Sequence, residues 1–268
     1  VLDHSRQSME QGSKSFAAAA RLFPAAIRDD AWMLYSWCRH CDDEIDGQVL
    51  GHGAVGIDPV LAGEKLDELR LRTAAALAGE PQTDPVFTAF QRVAMRHGIP
   101  ADEAMDLLQG FEMDVVGRRY DTLEDTLDYA YHVAGVVGVM MARVMGVRDE
   151  DVLDRACDLG LAFQMTNIAR DVQDDAAIGR VYLPQDWLDA AGARVDAPGT
   201  PALNGVIARL VSEAEPYYAS ARGGLAGLPL QAAWSIAAAL RVYRAIGRKI
   251  LRAGPGFDGL RVSTSGVE

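Results

Sequence analysis

Residues 164–175 read Gln164-Met-Thr-Asn167-Ile-Ala-Arg170-Asp171-Val-Gln-Asp174-Asp175. An α-helix turns by about 100° per residue, so it places Gln164, Asn167, Asp171 and Asp175 on one face. We call these four residues the C-terminal acidic row. Apolar residues flank the row from Leu159 to Ile168. The segment therefore predicts a largely buried helix that carries carboxylates one turn apart.

A second segment, residues 35–46, has the same pattern and reads Tyr35-Ser-Trp-Cys-Arg39-His-Cys-Asp42-Asp43-Glu44-Ile45-Asp46. Tyr35, Arg39, Asp42 and Asp46 share one helix face, and we call them the N-terminal acidic row. Two such rows that face each other across a cavity would make a site for several divalent cations and a polyphosphate.

The repulsion between carboxylates in each row indicates a cation site. Two carboxylates about 6 Å apart repel by roughly 3 kcal/mol at an effective dielectric constant near 20. In a cleft, a proton, a cation or water must relieve this repulsion. Oxygen ligands without His or Cys suit Mg²⁺ or Mn²⁺. A solvated helix face is the usual role of one isolated Asp-x-x-x-Asp, but two rows with matching polar neighbours favour the metal site.

Helical patterns continue through almost the whole chain. Apolar residues recur three or four positions apart and no alternating strand pattern is sustained, so we expect an all-α fold of eight to ten helices. Asp84, Asp149 and Ser212 are expected at helix starts. Clusters of Gly and Pro predict breaks at 51–59, 79–85, 97–100, 146–149, 179–184, 192–201 and 223–229.

With these segments, the chain resembles the squalene/phytoene synthase family, and within it the bacterial phytoene synthases of carotenoid biosynthesis. The resemblance extends from about residue 5 to residue 265 and follows the family order. The segments that carry it are 12–16 (Gly-Ser-Lys-Ser-Phe), 35–46, 129–138, 164–175, 179–184 (Gly-Arg-Val-Tyr-Leu-Pro) and 213–218.

The resemblance implies the class I isoprenoid synthase fold, a helical bundle around a central cavity, with residues 1–268 forming a single head-to-head trans-isoprenyl diphosphate synthase domain. It implies a Mg²⁺-dependent transferase, a prenyltransferase of the 15-cis-phytoene synthase type in isoprene biosynthesis. The implied reaction condenses two geranylgeranyl diphosphates head to head (1′-1) through cyclopropyl (prephytoene) diphosphate to phytoene and two diphosphates, without NADPH. Spacing alone indicates only metal and polyphosphate chemistry.

The resemblance also assigns roles to single residues. The implied metal ligands are Asp42, Asp46, Asn167, Asp171 and Asp175. The implied catalytic residues are the four aspartates of that set and Tyr129. The implied substrate-binding residues are Ser13, Ser15, Phe16, Tyr35, Arg39, Gln164, Arg170, Arg180, Tyr182, Tyr243 and Arg261. From the sequence alone, Arg39 and Arg170 fit either neutralisation of the neighbouring aspartates or a diphosphate clamp.

Three other functions remain open at this point. A squalene-, presqualene- or dehydrosqualene-type synthase would use the same site with farnesyl diphosphate, and the squalene enzymes would also need NADPH. A terpene cyclase would have similar acidic rows but is not expected to carry the 129–138 and 179–184 segments. A non-catalytic helical member of the family would be expected to lose acids from the rows, and both rows are complete here.

Two features bear on the cavity itself. Gly135 and Gly138 lie inside a helical pattern, where each costs about 1 kcal/mol relative to Ala. They allow either close helix packing or room for an apolar ligand with local unwinding. By comparison with the family, Ala20 and Trp32 are expected where the end of a prenyl chain would lie; small residues around Ala20 also fit plain helix packing.

The charge balance argues against nucleic acid as a partner, because the net charge is −12 and phosphate backbones require clustered Lys and Arg. The five cations between Arg241 and Arg252 fit a solvated helix face as well as a role toward a membrane or a diphosphate. No stretch approaches about 18 uninterrupted apolar residues, so no transmembrane helix is expected. The implied partners are geranylgeranyl diphosphate, a membrane in peripheral contact and downstream carotenoid enzymes.

An odd number of cysteines, Cys38, Cys41 and Cys157, points to a reducing compartment. Cys38 and Cys41 have the spacing of half a zinc or redox site, but no second Cys/His pair completes it, so we interpret all three as structural thiols. We expect a cytoplasmic protein, peripheral at the inner face of the membrane. The chain does not begin with Met and ends earlier than is typical of the family, so we expect a longer natural protein.

Overall fold

The computed structural model describes residues 23–47 and 58–253, together with Leu2 and Ser5. Residues 23–47 and 58–253 form eleven α-helices, a π-helical turn and a 3₁₀ turn, and contain no β-strand. The helices are α1 (Ala25–Asp46), α2 (Pro59–Leu77), α3 (Pro85–His97), α4 (Ala101–Val115), α5 (Leu123–Ala130), α6 (Val136–Val144), α7 (Glu150–Ala177), α8 (Gln185–Ala191), α9 (Pro201–Glu213), α10 (Glu215–Gly224) and α11 (Leu230–Ala253). The π-helical turn, Tyr131–Gly135, joins α5 to α6, and the 3₁₀ turn, Leu225–Gly227, follows α10. The expectation of an all-α fold is confirmed.

Two predicted helix starts carry the expected caps. The Asp84 carboxylate accepts a hydrogen bond from the backbone N–H of Val86 at 2.7 Å, and the Asp149 carboxylate accepts one from Asp151 at 3.0 Å. Each bond satisfies a donor that the first helical turn leaves without an intrahelical partner. The predicted breaks from 79–85 to 192–201 fall between helices.

The expectation that Ser212 begins a helix is wrong. Ser212 lies inside α9, where its hydroxyl donates to the carbonyl oxygen of Ala208 at 2.9 Å. Only Ala214 separates α9 from α10, so there is no open helix start that a side chain could cap. The described residues form eleven α-helices instead of the expected eight to ten. The count is higher because Ala214 divides α9 from α10 and the π-helical turn divides α5 from α6.

The two acidic rows lie on helices that belong to different core clusters. Helix α1 packs with α3, α4 and α6, and Trp37 stacks on Phe90 with ring centroids 4.0 Å apart. Helix α7 packs with α9, α10 and α11 and buries Met165 among them. Each row is therefore held by its own set of neighbours, and residues of both helices line the space between the two clusters.

A buried ion pair fixes α1 against α3. Both carboxylate oxygens of Asp30 lie 2.9 Å from Nη1 of Arg96, and one lies 2.8 Å from Nε2 of His97. Asp30 is buried, and it would cost several kcal/mol to leave this carboxylate without its partners. The pair therefore holds the N-terminal part of α1 in place.

Close packing of α7 against α6 and against the π-helical turn before it depends on glycine. A Cβ atom at Gly138 would lie 2.3 Å from the carbonyl oxygen of Ala156, and one at Gly160 would lie 2.2 Å from that of Ala134. Close helix packing at Gly138 is therefore confirmed. The π-helical turn that ends at Gly135 widens the helix beside the same contact, so local unwinding occurs there as well.

Among the described helices, none combines the length and apolar content needed to cross a membrane. The three cysteines are free thiols. Burial raises the pKa of Cys38 and of Cys157 to about 12, and Cys41 is fully buried. These environments fit structural thiols, because a reactive cysteine needs a lowered pKa.

Candidate active site

Two arginines pair with the aspartates of the N-terminal acidic row. Nη1 of Arg39 donates to Asp42 at 2.5 Å, and Nη2 donates to the Tyr35 hydroxyl at 3.4 Å. Asp46, one turn further along α1, accepts from Nη2 of Arg180 at 2.6 Å. Arg180 lies in the loop after α7, so this bond joins the two acidic-row helices.

The C-terminal acidic row has a comparable arrangement on α7. Nε of Arg170 donates to Asp171 at 2.8 Å, and the second carboxylate oxygen of Asp171 accepts from Nη2 of the same arginine. Nδ2 of Asn167 donates to Gln164 at 3.4 Å. Oδ1 of Asn167 is buried and has no hydrogen-bond partner within the part of the chain that the structure describes.

Asp114, on α4, is a site residue that our reading of the sequence missed. Its side chain is 8% exposed and accepts hydrogen bonds from the hydroxyls of Tyr182 at 2.8 Å and Tyr129 at 3.0 Å. Nη1 of Arg180 lies 4.0 Å from the same carboxylate. An acid among the apolar residues Met113, Val115 and Val116 was the available signal. The nearest other acid, Glu112, is two residues away and lies on another helix face, so no row identifies Asp114.

Three tyrosines pack together around Asp114. The rings of Tyr129 and Tyr182 stack with centroids 4.5 Å apart, and Tyr120 lies against both at 5.4 and 5.6 Å. Tyr120 was also missed, because the loop between α4 and α5 was not among the predicted breaks. Backbone N–H groups of Gln185 and Asp186 donate to the carbonyls of Tyr120 and Asp121, so this loop pairs with the one that carries Arg180.

Carboxylates from three helices influence one another electrostatically. Burial and the nearby Asp46 outweigh the attraction of Arg39 and raise the pKa of Asp42 to about 7. Burial and Asp171 raise the pKa of Asp175 to about 8. Burial is also the main reason that the pKa of Asp114 rises to about 6, and Asp114 in turn contributes to the increase at both Asp42 and Asp175. Negative charge is therefore concentrated between the rows.

An apolar cavity of about 250 Å³ adjoins the two rows. Its polar end is formed by Tyr35 and Arg39 from α1 and by Gln164 and Asn167 from α7. The remaining walls come from the π-helical turn, α6, α7, α10 and α11. They include Val133, Ala134, Val137, Gly138, Met141, Met145, Val152, Ala156, Phe163, Leu225, Leu228, Ile236 and Tyr243. Phe163 and Tyr243 stack with centroids 4.0 Å apart beside the polar end.

A second cleft, of about 420 Å³, lies beside Asp46, Asp114 and Arg180. Residues of α1, α2, α4 and the loop after α7 line it, and most of them are apolar. Three charged side chains of the site therefore reach this cleft from α1, α4 and that loop.

The sequence profile of the squalene/phytoene synthase family matches residues 9–268. The chain belongs to this family. The expected family and its helical fold are therefore confirmed.

Relatives in the squalene/phytoene synthase family match nearly the whole chain. A 15-cis-phytoene synthase of Paracoccus sp. is 62% identical over 97% of this chain and 86% of its own length. A phytoene synthase of Pseudescherichia vulneris is 56% identical over 99% of this chain and 87% of its own length. The crystal structure of a dehydrosqualene synthase in complex with a ligand has a TM-score of 0.81 and 25% identity, covering 91% of this chain and 83% of that one.

The residues fit a divalent cation of the kind such an enzyme requires. Within the described residues, no three His, Cys, Asp or Glu side chains lie close enough together to hold a metal ion. Three of the aspartates are instead paired with arginines: Asp42 with Arg39, Asp171 with Arg170 and Asp46 with Arg180. However, the donors are all oxygens, Asn167 presents a buried oxygen without a partner, and the raised pKa values of Asp42 and Asp175 reflect burial and carboxylate repulsion that a cation would relieve.

The remaining predicted residues have the following places. Tyr129 and Tyr182 lie beside Asp114 and are not among the residues that line the apolar cavity. Trp32 is in the core cluster of α1, and it too is absent from the described lining of that cavity. The predictions for Ser13, Ser15, Phe16, Ala20 and Arg261 lie outside the described residues.

Proposed function

We propose that this protein is a phytoene synthase that joins two geranylgeranyl diphosphates head to head. The identity of 62% and 56% to two phytoene synthases over nearly the whole chain carries this assignment. The complete acidic rows support an active enzyme over a non-catalytic relative. The metal ion and the roles of single residues in this proposal are argued from the geometry of the site, and the C20 substrate from the similarity to these two phytoene synthases.

Asn167 and the four aspartates of the acidic rows, Asp42, Asp46, Asp171 and Asp175, would hold Mg²⁺. Bound there, the cation supplies charge neutralisation for the leaving diphosphate. The pairing of each arginine with a row carboxylate is compatible with this role. With Asp42, Asp46 and Asp171 serving as metal ligands, the guanidinium groups of Arg39, Arg180 and Arg170 would be available to bind diphosphate oxygens in the planar geometry that suits them.

Ionisation of the first substrate breaks its C1–O bond, and the electron pair leaves with the diphosphate. Arg39, Arg170 and Arg180 stabilise the charge that develops on that group. The allylic cation forms a bond from C1 to the C2–C3 double bond of the second substrate, and loss of a proton closes the cyclopropane ring. A second ionisation, rearrangement and final proton loss give phytoene, so no hydride donor is needed.

The cavity walls protect these cations from water. Aromatic faces of Tyr35, Phe163 and Tyr243 lie at its polar end, where the positive carbon would form. The negative face of an aromatic ring attracts a cation. The Tyr35 hydroxyl is held by Nη2 of Arg39 at 3.4 Å. The aliphatic walls further along α6 and α7 would accommodate the isoprenoid chains.

A direct assay tests this function. Purified protein is incubated with Mg²⁺ and either C15 or C20 diphosphate, with and without NADPH, and the products are identified by mass. We expect the C40 hydrocarbon phytoene from the C20 substrate, with the same mass in both cofactor conditions. Turnover confined to C15 diphosphate would assign a dehydrosqualene-type activity instead, and a mass increase of two hydrogens with NADPH would contradict the proposed final step.

A further inference from the structure

Helix α11 presents one exposed stripe that the proposed reaction does not use. At about 100° per residue, Leu230, Trp234, Arg241, Arg248 and Arg252 fall within about 40° of one another around the helix axis. Leu230 is 75% exposed and Trp234 is 69% exposed, and the three arginines are exposed as well. We call these five residues the α11 stripe.

The charge of α11 is opposite to that of the whole chain. The net charge of the protein is −12, yet residues 230–253 contain five Arg or Lys and no Asp or Glu. Nη2 of Arg244 lies 2.5 Å from Oε2 of Glu215, so this arginine is paired. Within the described residues, Arg241, Arg248 and Arg252 make no ion pair. The stripe therefore has positive charge available for an anionic partner.

Exposure of tryptophan at this position is unusual for the molecule. The chain has four tryptophans, and the other three, Trp32, Trp37 and Trp187, are at most 9% exposed. Tryptophan and arginine on one helix face, with an apolar neighbour one turn away, are the residues that favour the boundary between lipid headgroups and hydrocarbon.

The opposite face of α11 forms part of the cavity wall. Ile236 and Tyr243 line the apolar cavity, and they lie roughly 180° to 240° around the helix from the stripe. Leu225 and Leu228, which also line the cavity, come directly before the helix. The exposed Leu230 and Trp234 therefore lie in the first two turns of α11, directly after residues that line the cavity.

We propose that the α11 stripe docks the protein on a membrane surface that carries anionic lipid headgroups. Leu230 and Trp234 enter the boundary of the acyl chains, and Arg241, Arg248 and Arg252 bind headgroup phosphates along about 27 Å of helix from Trp234 to Arg252. If the proposed function holds, this orientation also places the apolar cavity one helix thickness from the lipid that supplies its substrate and receives its product. The docking itself does not depend on that function.

Vesicle binding tests the proposal. The full chain is mixed with vesicles of phosphatidylcholine alone or with 40% phosphatidylglycerol, and binding is measured by co-sedimentation. We expect binding to the anionic vesicles that weakens at high salt. Replacing Arg241→Gln together with Arg248→Gln should reduce the partition constant roughly tenfold or more, because each cation near such a surface contributes about 1 kcal/mol. The charge-matched control, Arg92→Gln with Arg119→Gln, removes two exposed arginines that lie outside α11 and should bind as the parent does.

Trp234 provides its own reporter. Because the other three tryptophans are buried, a shift of emission to shorter wavelength on adding anionic vesicles would come from Trp234, and Trp234→Phe should abolish the shift. Equal binding of the arginine variant and the parent, or no emission shift in the parent, would overturn the proposal. An effect of the variants on self-association in the absence of lipid, without vesicle binding, would assign the stripe to a protein partner and would equally overturn it.

Discussion

At the scale of the residue, Asp114 connects parts of the site that come from separate segments of the chain. It accepts hydrogen bonds from Tyr129 and Tyr182 and lies near Arg180, which itself holds Asp46. Burial and the nearby carboxylate raise the pKa of both tyrosines, so the hydroxyls remain protonated donors. We therefore infer that Asp114 acts as a positioning residue, which orients groups that would contact substrate or metal.

Replacing Asp114→Asn should lower kcat by about tenfold to a hundredfold while the protein stays folded, because Arg180 loses a charged neighbour and the tyrosines lose a charged acceptor. The Mg²⁺ concentration for half-maximal activity should change too, which a purely structural role would not cause. Asp106→Asn serves as the control, since Asp106 also lies on α4 and accepts from a tyrosine, Tyr131, at 2.7 Å. A variant with parental kcat and Mg²⁺ dependence would contradict the positioning role.

Asp175 allows a test of carboxylate repulsion. Its pKa in the folded, metal-free protein is raised to about 8, above that of an unfolded carboxyl, so the folded state binds the proton more tightly. Stability attributable to this group is greatest at low pH and is lost as pH rises from about 4 to about 8. Asp175→Asn should therefore raise the Tm of the metal-free protein more at pH 8 than at pH 5, and it should reduce turnover by at least roughly a hundredfold.

Asp154 supplies the control for that comparison, because it is exposed near the start of the same helix and is not part of the acidic row. Asp154→Asn should change neither the pH dependence of Tm nor the turnover. Parental turnover of Asp175→Asn at saturating Mg²⁺ would remove this residue from the metal site.

At the scale of the element, the contact of α7 with α6 and with the π-helical turn before it permits no side chain at two glycines. Gly138→Ala or Gly160→Ala would place a Cβ atom against a backbone carbonyl, which cannot move as a flexible side chain would. We expect each to reduce the free energy of unfolding by about 1–3 kcal/mol, measured by denaturant titration. A Cβ atom at Gly205 in α9 or at Gly63 in α2 would have no atom within 4 Å. Gly205→Ala and Gly63→Ala should therefore increase the free energy of unfolding by up to about 1 kcal/mol. Equal effects at all four positions would indicate that α6 and α7 are not in close contact.

At the scale of the whole molecule, helices from both core clusters enclose the cavity, and its depth should determine the length of the prenyl chain. Ala156 lines it on α7, 11 residues or about 16 Å along the helix from Asn167. Ala156→Phe would fill the space for the last isoprene unit of a C20 chain. The ratio of kcat/KM for C20 over C15 diphosphate should fall by about tenfold or more, with Mg²⁺ dependence unchanged.

The control for cavity depth is Ala74→Phe, which adds the same ring at an exposed position on α2. It should leave the ratio of the two specificity constants as in the parent. If Ala156→Phe is folded and also leaves the ratio unchanged, chain length is determined elsewhere, and the Ala20 region becomes the next position to test.

The sequence by itself determined the helical fold, the caps at Asp84 and Asp149, the family and the two acidic rows. All of these depend on local patterns: helical periodicity, turn residues and residue spacing within one segment. The failure at Ser212 has a local cause as well, because a serine does not reveal whether the preceding helix has already ended.

Only the tertiary structure decided what lies between the rows. Asp114, on a third helix, and Tyr120, in a loop without a strong break signal, join the site because α4 packs against α1 and brings Asp114 to Tyr182 and Arg180 in the loop after α7. No spacing along the chain encodes that proximity. Likewise, the sequence of the basic run in α11 fits several interpretations equally well. In the folded protein, one face of this helix lines the cavity, and Trp234 and the arginines of the α11 stripe are exposed. Periodicity shows which residues share a face, but packing decides which face meets the core, because that choice depends on contacts between segments that are distant in sequence.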